Sequence, residues 1–280
     1  MSDAQTLAPT ATAAAKPAVR TRRRPAFTWW RAIVVLAALI GLWYLAAKHY
    51  ADKGLAFLVP YPHLVWKDGF ADSQVRHDLL QALGRSTVVT LVGLAIAIVI
   101  GVAWAMLMAQ AKWVEQSLYP YAVVLQCIPI LALVPLIGAL AGYEFKSRVI
   151  VTVMIALFPM VSNTLFGLQS AERAQRELFT LSGAGRGTVL AKLLFPAALP
   201  SIFIGLRTSA GMAVIGSIVG DQFFQRGNPG LGVLIQVSAS RLYGEQLYAA
   251  ILTAAFLGVA VFLVFGLLGR LAVGRWYDFS

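Results

Sequence analysis

Between Arg85 and Lys112 the chain carries no charged side chain, and residues 86 to 109 read STVVTLVGLAIAIVIGVAWAMLMA. A helix rises about 1.5 Å per residue, so a hydrocarbon layer about 30 Å thick is crossed by about 20 apolar residues. Backbone amides buried in lipid must find partners inside the protein, which leaves helices or closed barrels. An apolar run of this length, without alternation, selects the helix. Five more runs of the same kind lie at about 29–47, 119–142, 148–168, 201–222 and 247–269. The chain therefore reads as an all-α, polytopic membrane protein with about six transmembrane helices. Its composition agrees: 12% of residues are charged, against about 25% in a soluble domain. The third run contains Pro129 and Pro135 and is expected to kink or break.

The net charge of +11 has two readings. One is nucleic-acid binding, the other retention of Lys and Arg on the cytoplasmic side of a membrane. The second fits an apolar chain, so no nucleic-acid partner is expected. Residues 1–28 are expected to form a disordered basic tail containing KPAVRTRRRP, which would place the N-terminus in the cytoplasm. A secretory signal does not fit, because the apolar run that follows is long and lacks a clear cleavage site. Six spans then return the C-terminus, residues 276–280, to the same side. The transmembrane domain occupies 29–275, with an extracytoplasmic loop at 48–85 and a cytoplasmic loop at 169–200. This orientation puts 14 of the 23 Lys and Arg inside. In the outer loop Val75, Leu79, Leu80 and Leu83 have helical spacing and point to a helix on the membrane surface.

Catalytic signatures are absent. His49, His63 and His77 all fall in the outer loop and form no HExxH pair, and no carboxylate or cysteine set joins them. No G-x-S-x-G elbow occurs. GAGRGT is glycine-rich but lacks the Gly-Lys-Ser/Thr end of a phosphate loop. The chain is expected to bind no cofactor and to hydrolyse no ATP. A lone cysteine, Cys127, excludes an intrachain disulfide.

The cytoplasmic loop carries more information. AERAQRELFTLS (171–182) favours a helix, Gly183 to Gly187 break it, and TVLAKLLF is helical again before Pro196 and Pro200 close it. Two short helices with a turn would present a mixed apolar and charged ridge, suited to a groove on a soluble partner or simply to solvent. The spacing resembles the EAA loop of ABC importer permeases. Glu177 precedes Gly183 by six residues, Leu193 follows that glycine by ten and Pro196 by thirteen. Leu178 and Phe179 stand where that loop has two alanines. Further segments resemble the nitrate/taurine/sulfonate branch of these permeases: VPYP (59–62), LQCIPILALVPL (125–136), FPMVSNTLFGL (158–168), PAALPSIFIGLRTSAGMAVIGSIVGDQF (196–223) and GNPGLGVLI (227–235). Asp221 departs from that pattern, which more often has Glu.

The resemblance implies a type I ABC importer permease fold in the bacterial inner membrane. It implies a second permease copy in a homodimer, soluble ATPases that hold ATP and magnesium, and an extracytoplasmic substrate-binding protein. Arg173, Arg176, Glu177, Leu178, Phe179, Leu181, Gly183, Arg186 and Pro196 would form the ATPase-coupling element. Glu177 is expected to contact the ATPase or cap the loop itself. Leu178, Phe179 and Leu181 would enter the ATPase groove, and the arginines would hold its rim or anionic lipid. Intramembrane polar groups are costly and mark function by default, so Gln126, Pro129, Asn163, Thr164, Ser209 and Asp221 are candidates for the substrate pathway. Interhelical hydrogen bonding competes as a reading for Gln126 and Asn163, and an interfacial position is preferred for Asp221. The pairs Gly138/Gly142 and Gly216/Gly220 read as close helix packing. The implied substrates are a pyrimidine- or riboflavin-like heterocycle, or a sulfonate, taurine or nitrate. A membrane enzyme would need a catalytic cluster, and a secondary transporter an ion-coupling site within internal repeats.

Overall fold

A computed structural model describes residues 29–273; the basic tail and residues 276–280 lie outside the described residues. Two units are distinguished, residues 1–42 and 43–280. The first contains the opening turns of α1 (Trp29–Asp52), which are apolar apart from Arg31. The second contains the rest of α1 and ten further helices. Short α2 (Pro62–Leu64) runs into a π-helical turn at Val65–Ala71, followed by α3 (Ser73–Met108), α4 (Lys112–Cys127), α5 (Ile130–Ala141) and α6 (Phe145–Gln169). Then come α7 (Arg173–Leu181), α8 (Arg186–Val189), a second π-helical turn at Leu190–Leu194, α9 (Phe195–Phe223), α10 (Leu231–Ser240) and α11 (Gly244–Val273). Among the described residues there is no strand. Among the described residues five helices are long and apolar enough to cross a membrane, or six if the bent pair α4–α5 is one span.

The spans differ from the sequence expectation in two places, each with a physical cause. The surface helix expected around Val75 to Leu83 is instead the start of α3. Leu79, Ala82, Ser86, Val89, Gly93, Ala97, Gly101, Ala105 and Met108 form one buried stripe at helical spacing, so the core holds all 36 residues in one rod. Pro196 and Pro200 do not close a separate helix. Pro196 follows the π-helical turn, where the Phe195 N–H reaches back to the Leu190 carbonyl; the widened turn accommodates the proline, and α8 continues through it into the span. As expected, the third run breaks, at Ile128–Pro129, where α4 and α5 diverge by 96°, while Pro135 stays inside α5. The segment after Gly230 forms α10.

The frame is the bundle α3–α6–α9. In lipid, helices gain little from apolar contact and associate through close packing and polar pairs. A Cβ on Gly216 would lie 2.7 Å from the Cα of Thr152, and one on Gly220 would lie 3.0 Å from the Cα of Arg148. The Gly216/Gly220 pair thus lets α9 touch the backbone of α6, as its spacing implies. Thr90 Oγ1 donates to Ser217 Oγ at 2.9 Å and ties α3 to the same face. Gly138 and Gly142 do not make such a seam: Gly138 faces the ring of Tyr143, and Gly142 ends α5 with φ +84°. Elsewhere Trp43 Nε1 donates to the Pro60 carbonyl at 3.1 Å and stacks on Tyr248, which anchors VPYP beside α11.

Gly216→Leu should destabilise the chain by about 1–3 kcal/mol or more through overpacking. Gly211→Ala, with nothing within 4 Å of the new Cβ, should be neutral or stabilising. Thermal unfolding in detergent distinguishes them, and equal midpoints would refute the seam.

Candidate functional site

Two regions hold the polar chemistry, one at each end of the bundle. The first is α7 with the turn that follows it. Arg173-Ala-Gln-Arg-Glu-Leu are strong helix formers, and Arg173 Nε meets Glu177 Oε1 at 2.7 Å one turn on. Both side chains are exposed, so the pair adds little stability. Gly183 ends the helix with φ +67°. Its N–H donates to the Thr180 carbonyl, and the Ala184 N–H to the Phe179 carbonyl, both at 3.0 Å. These two bonds define a Schellman cap, whose αL residue is normally glycine. The turn between α7 and α8 is thereby fixed in direction.

Arg176 holds α7 to the membrane helices. Its Nη2 donates to the carbonyls of Leu168 and Gln169 at 3.2 and 3.1 Å, and its Nε to Ala171. Those carbonyls belong to the last turn of α6 and its exit, which lack intrahelical partners. Arg176 therefore caps a span. Leu178 and Leu181 lie on one face with 65% and 87% of their surfaces exposed. Phe179 is half-buried, while Arg186 and Pro196 are exposed. Behind the ridge lies a cavity of about 270 Å3, lined by Gln110 from the end of α3, by Arg176 and Thr180, and by Arg186 and Leu190. The ridge is thus an uncovered apolar edge on a rigid connection to α6.

At the other end, Arg148 and Asp221 are buried together. Arg148 Nε lies 3.3 Å from Asp221 Oδ1, but its proton goes to the Phe224 carbonyl at 2.8 Å. The guanidinium also donates to the carbonyls of Asn228 and Arg226. One arginine from α6 therefore gathers the loop that follows α9. Asp221 Oδ2 accepts from Ser86 Oγ at 3.0 Å, and Ser86 Oγ accepts from the Leu231 N–H at 2.9 Å. A Cβ on Gly230 would fall 2.3 Å from Asp221 Oδ2 and 2.2 Å from Ser86 Oγ. Glycine is required there so that the backbone can reach the carboxylate. Beside this node, Arg85, Glu144, Arg148 and Asn228 help line a cavity of about 380 Å3.

The six pathway candidates do not come together. Gln126 and Pro129 are exposed at the α4–α5 break. Thr164 and Ser209 are fully buried, their hydroxyls without a hydrogen-bond partner. Asn163 Nδ2 donates to the Pro159 carbonyl at 2.8 Å within its own helix, not across an interface. Asp221 is fully buried, not interfacial. Its partner Arg148 was missed because an arginine just before an apolar run reads as a loop charge. Nothing local connects residues 148 and 221. Ser86 was missed for the same reason.

Among the described residues the chain is an all-helical bundle with a broken third span and a capped, apolar-edged loop, as a polytopic membrane protein would have. A family model described as "binding-protein-dependent transport system inner membrane component" matches residues 97–276. The chain belongs to that family, has its type I ABC permease fold, and is a multi-pass inner-membrane permease subunit of an ABC transport system. It is 37% identical over 61% of its length to the formylaminopyrimidine transport permease protein of Halalkalibacterium halodurans, of which the match covers 68%. It is 35% identical over 60% of its length to a riboflavin transport system permease protein of Chloroflexus aurantiacus, covering 62% of that protein. A nitrate import permease protein of Synechocystis is 31% identical over 51% of this chain and 52% of its own length. Permeases of this family work with ATPase and substrate-binding subunits.

Asp221→Ala leaves Arg148 buried without its counter-charge and should cost about 3–5 kcal/mol. Ser86→Ala removes one buried partner and should cost about 1–3 kcal/mol. Thermal or denaturant unfolding in detergent measures both; wild-type stability in Asp221→Ala would remove the node from the frame.

Proposed function

We propose that residues 171–195 couple ATP-driven closure of a soluble ATPase pair to the membrane helices of an importer. The observation that carries this reading is the exposed Leu178–Leu181 edge on a helix fastened by Arg176 to the end of α6. An apolar edge held rigidly in water fits a partner's groove better than solvent. Leu178, Leu181 and part of Phe179 enter that groove. Arg173 and Arg186 face its rim, and Glu177, paired with Arg173, holds the shape of the ridge. Gly183 fixes the angle to α8. This chain binds no cofactor, and ATP with magnesium sits on the ATPase.

Two copies of the chain form the pathway, with the α4–α5 break at their shared face. Helix ends leave carbonyls without intrahelical partners, and open backbone at membrane depth is tolerated beside a water-filled path or against protein. Gln126 and Pro129 stand at that break and are the pathway residues nearest the solute. Thr164, Ser209 and Asp221 act behind it, in the bundle whose tilt opens or closes the path. Both termini and α7 are cytoplasmic, and the Arg148–Asp221 end faces the substrate-binding protein. The solute is a heterocyclic vitamin precursor, pyrimidine- or riboflavin-like. Support comes from the relatives at 37% and 35% identity, both named for heterocycles. A nitrate- or sulfonate-type anion is the runner-up, supported by the nitrate relative.

Gly183→Pro cannot adopt φ +67° and loses the N–H of the cap. Glu177→Arg replaces an ion pair with like charges. In proteoliposomes with ATPase and binding protein, both should cut solute uptake per ATP hydrolysed by about 5- to 150-fold, the range of an intersite coupling. Normal uptake in both variants would sink the assignment.

A further inference from the structure

α9 and α11 pack side by side, and at the end of the bundle that carries α7 they place two arginines in one recess. The recess measures about 280 Å3 and is lined by Arg207, Leu263, Gly266, Leu267 and Arg270. The guanidinium of Arg207 lies over the ring of Phe262, 3.8 Å from its centroid. A Cβ on Gly266 would sit 3.3 Å from Arg207 Nε, so the glycine makes the room that the guanidinium occupies. The stacked ring fixes the plane of the guanidinium and leaves its edge donors open. Among the described residues neither arginine has a side-chain hydrogen bond or ion pair, and no acid lines the recess. Around it Leu263, Leu267 and Leu271 are exposed, as a lipid-facing surface would be.

Depth agrees with that surroundings. Arg270 lies 25 residues beyond Glu245 in α11, about 37 Å along the helix axis. The hydrocarbon layer is about 30 Å thick, so Arg270 reaches headgroup level. Arg207, 16 residues before Phe223 in α9, is about 24 Å from the far end and lies just within the hydrocarbon. Its long side chain extends toward the same level. Two open cations at the headgroup boundary, flanked by apolar surface, match one ligand chemistry: a phosphate with acyl chains attached.

We propose that Arg207 and Arg270 bind the phosphate of an anionic phospholipid, whose acyl chains lie along Leu263 and Leu267. The lipid belongs to the cytoplasmic leaflet, an assignment that rests on the orientation proposed above; the binding itself does not depend on ATPase coupling. The full chain is extracted in mild detergent, supplied with equal amounts of phosphatidylglycerol and phosphatidylcholine, and weighed with its retained lipid by native mass spectrometry. Phosphatidylglycerol should be enriched. Arg270→Gln, at an exposed position, and Arg207→Gln should each lower that enrichment about fivefold. Arg241→Gln, on the other side of the bundle, should leave it unchanged, and excess inorganic phosphate should not displace the lipid. Equal retention of the two lipids, an unchanged ratio in both recess variants, or an equal loss in Arg241→Gln would overturn the proposal. Displacement by inorganic phosphate would also overturn it and assign the recess to a soluble anion.

Discussion

The buried contact between Arg148 and Asp221 is the constraint on which the bundle's geometry depends. Both charges are removed from water, and each is costly alone. The cost is offset because Arg148 also satisfies three loop carbonyls and Asp221 also accepts from Ser86. These bonds involve α3, α6 and α9 and the loop that leads to α10. A shift of α6 against α9 by one turn would break Arg148's three bonds to the loop and its contact with Asp221, and would push Gly216 and Gly220 out of the close contact that only a missing side chain permits. The node therefore fixes register at one end of the bundle.

In the proposed coupling, the other end moves against something outside the chain. α6 is one unbroken helix from the node to its cap, 25 residues long. Arg176 fastens α7 to its last carbonyls, and the Schellman cap at Gly183 fixes where the chain turns next. A force on the Leu178–Leu181 edge is delivered to α6 and so to α9 and α3, which pack along it. This arrangement suits a lever with a pinned end. It gives the proposed transport cycle its physical content, because inward- and outward-facing states must differ in contacts made by nucleotide-driven partners or by solute.

Much of this was legible in the sequence, for reasons of scale. A hydrocarbon layer demands long apolar runs, so the spans announced themselves, and a proline at position 129 in one of them announced the break. Gly183 was legible because an αL turn has few residues to choose from. The length of α3 was not, because Val75 to Leu83 is as amphipathic as a surface helix, and only the core reveals that their stripe continues. Arg148 and Asp221 were misread individually because their meaning lies in a contact between residues far apart in the chain. Asn163 differs again: its amide donates to the carbonyl four residues back in its own helix, a local bond that its residue type does not announce.

The central claim is that the apolar edge of α7 is covered by the ATPase. It is tested most directly by placing a single thiol on it. With Cys127→Ser removing the native cysteine, Leu181→Cys carries one thiol at the most exposed point of the ridge. Its rate of modification by a water-soluble maleimide is measured with and without the partner ATPase. The account predicts rapid modification of the free permease and strong protection in the complex. Equal rates in both, with the complex shown to be intact, would contradict it.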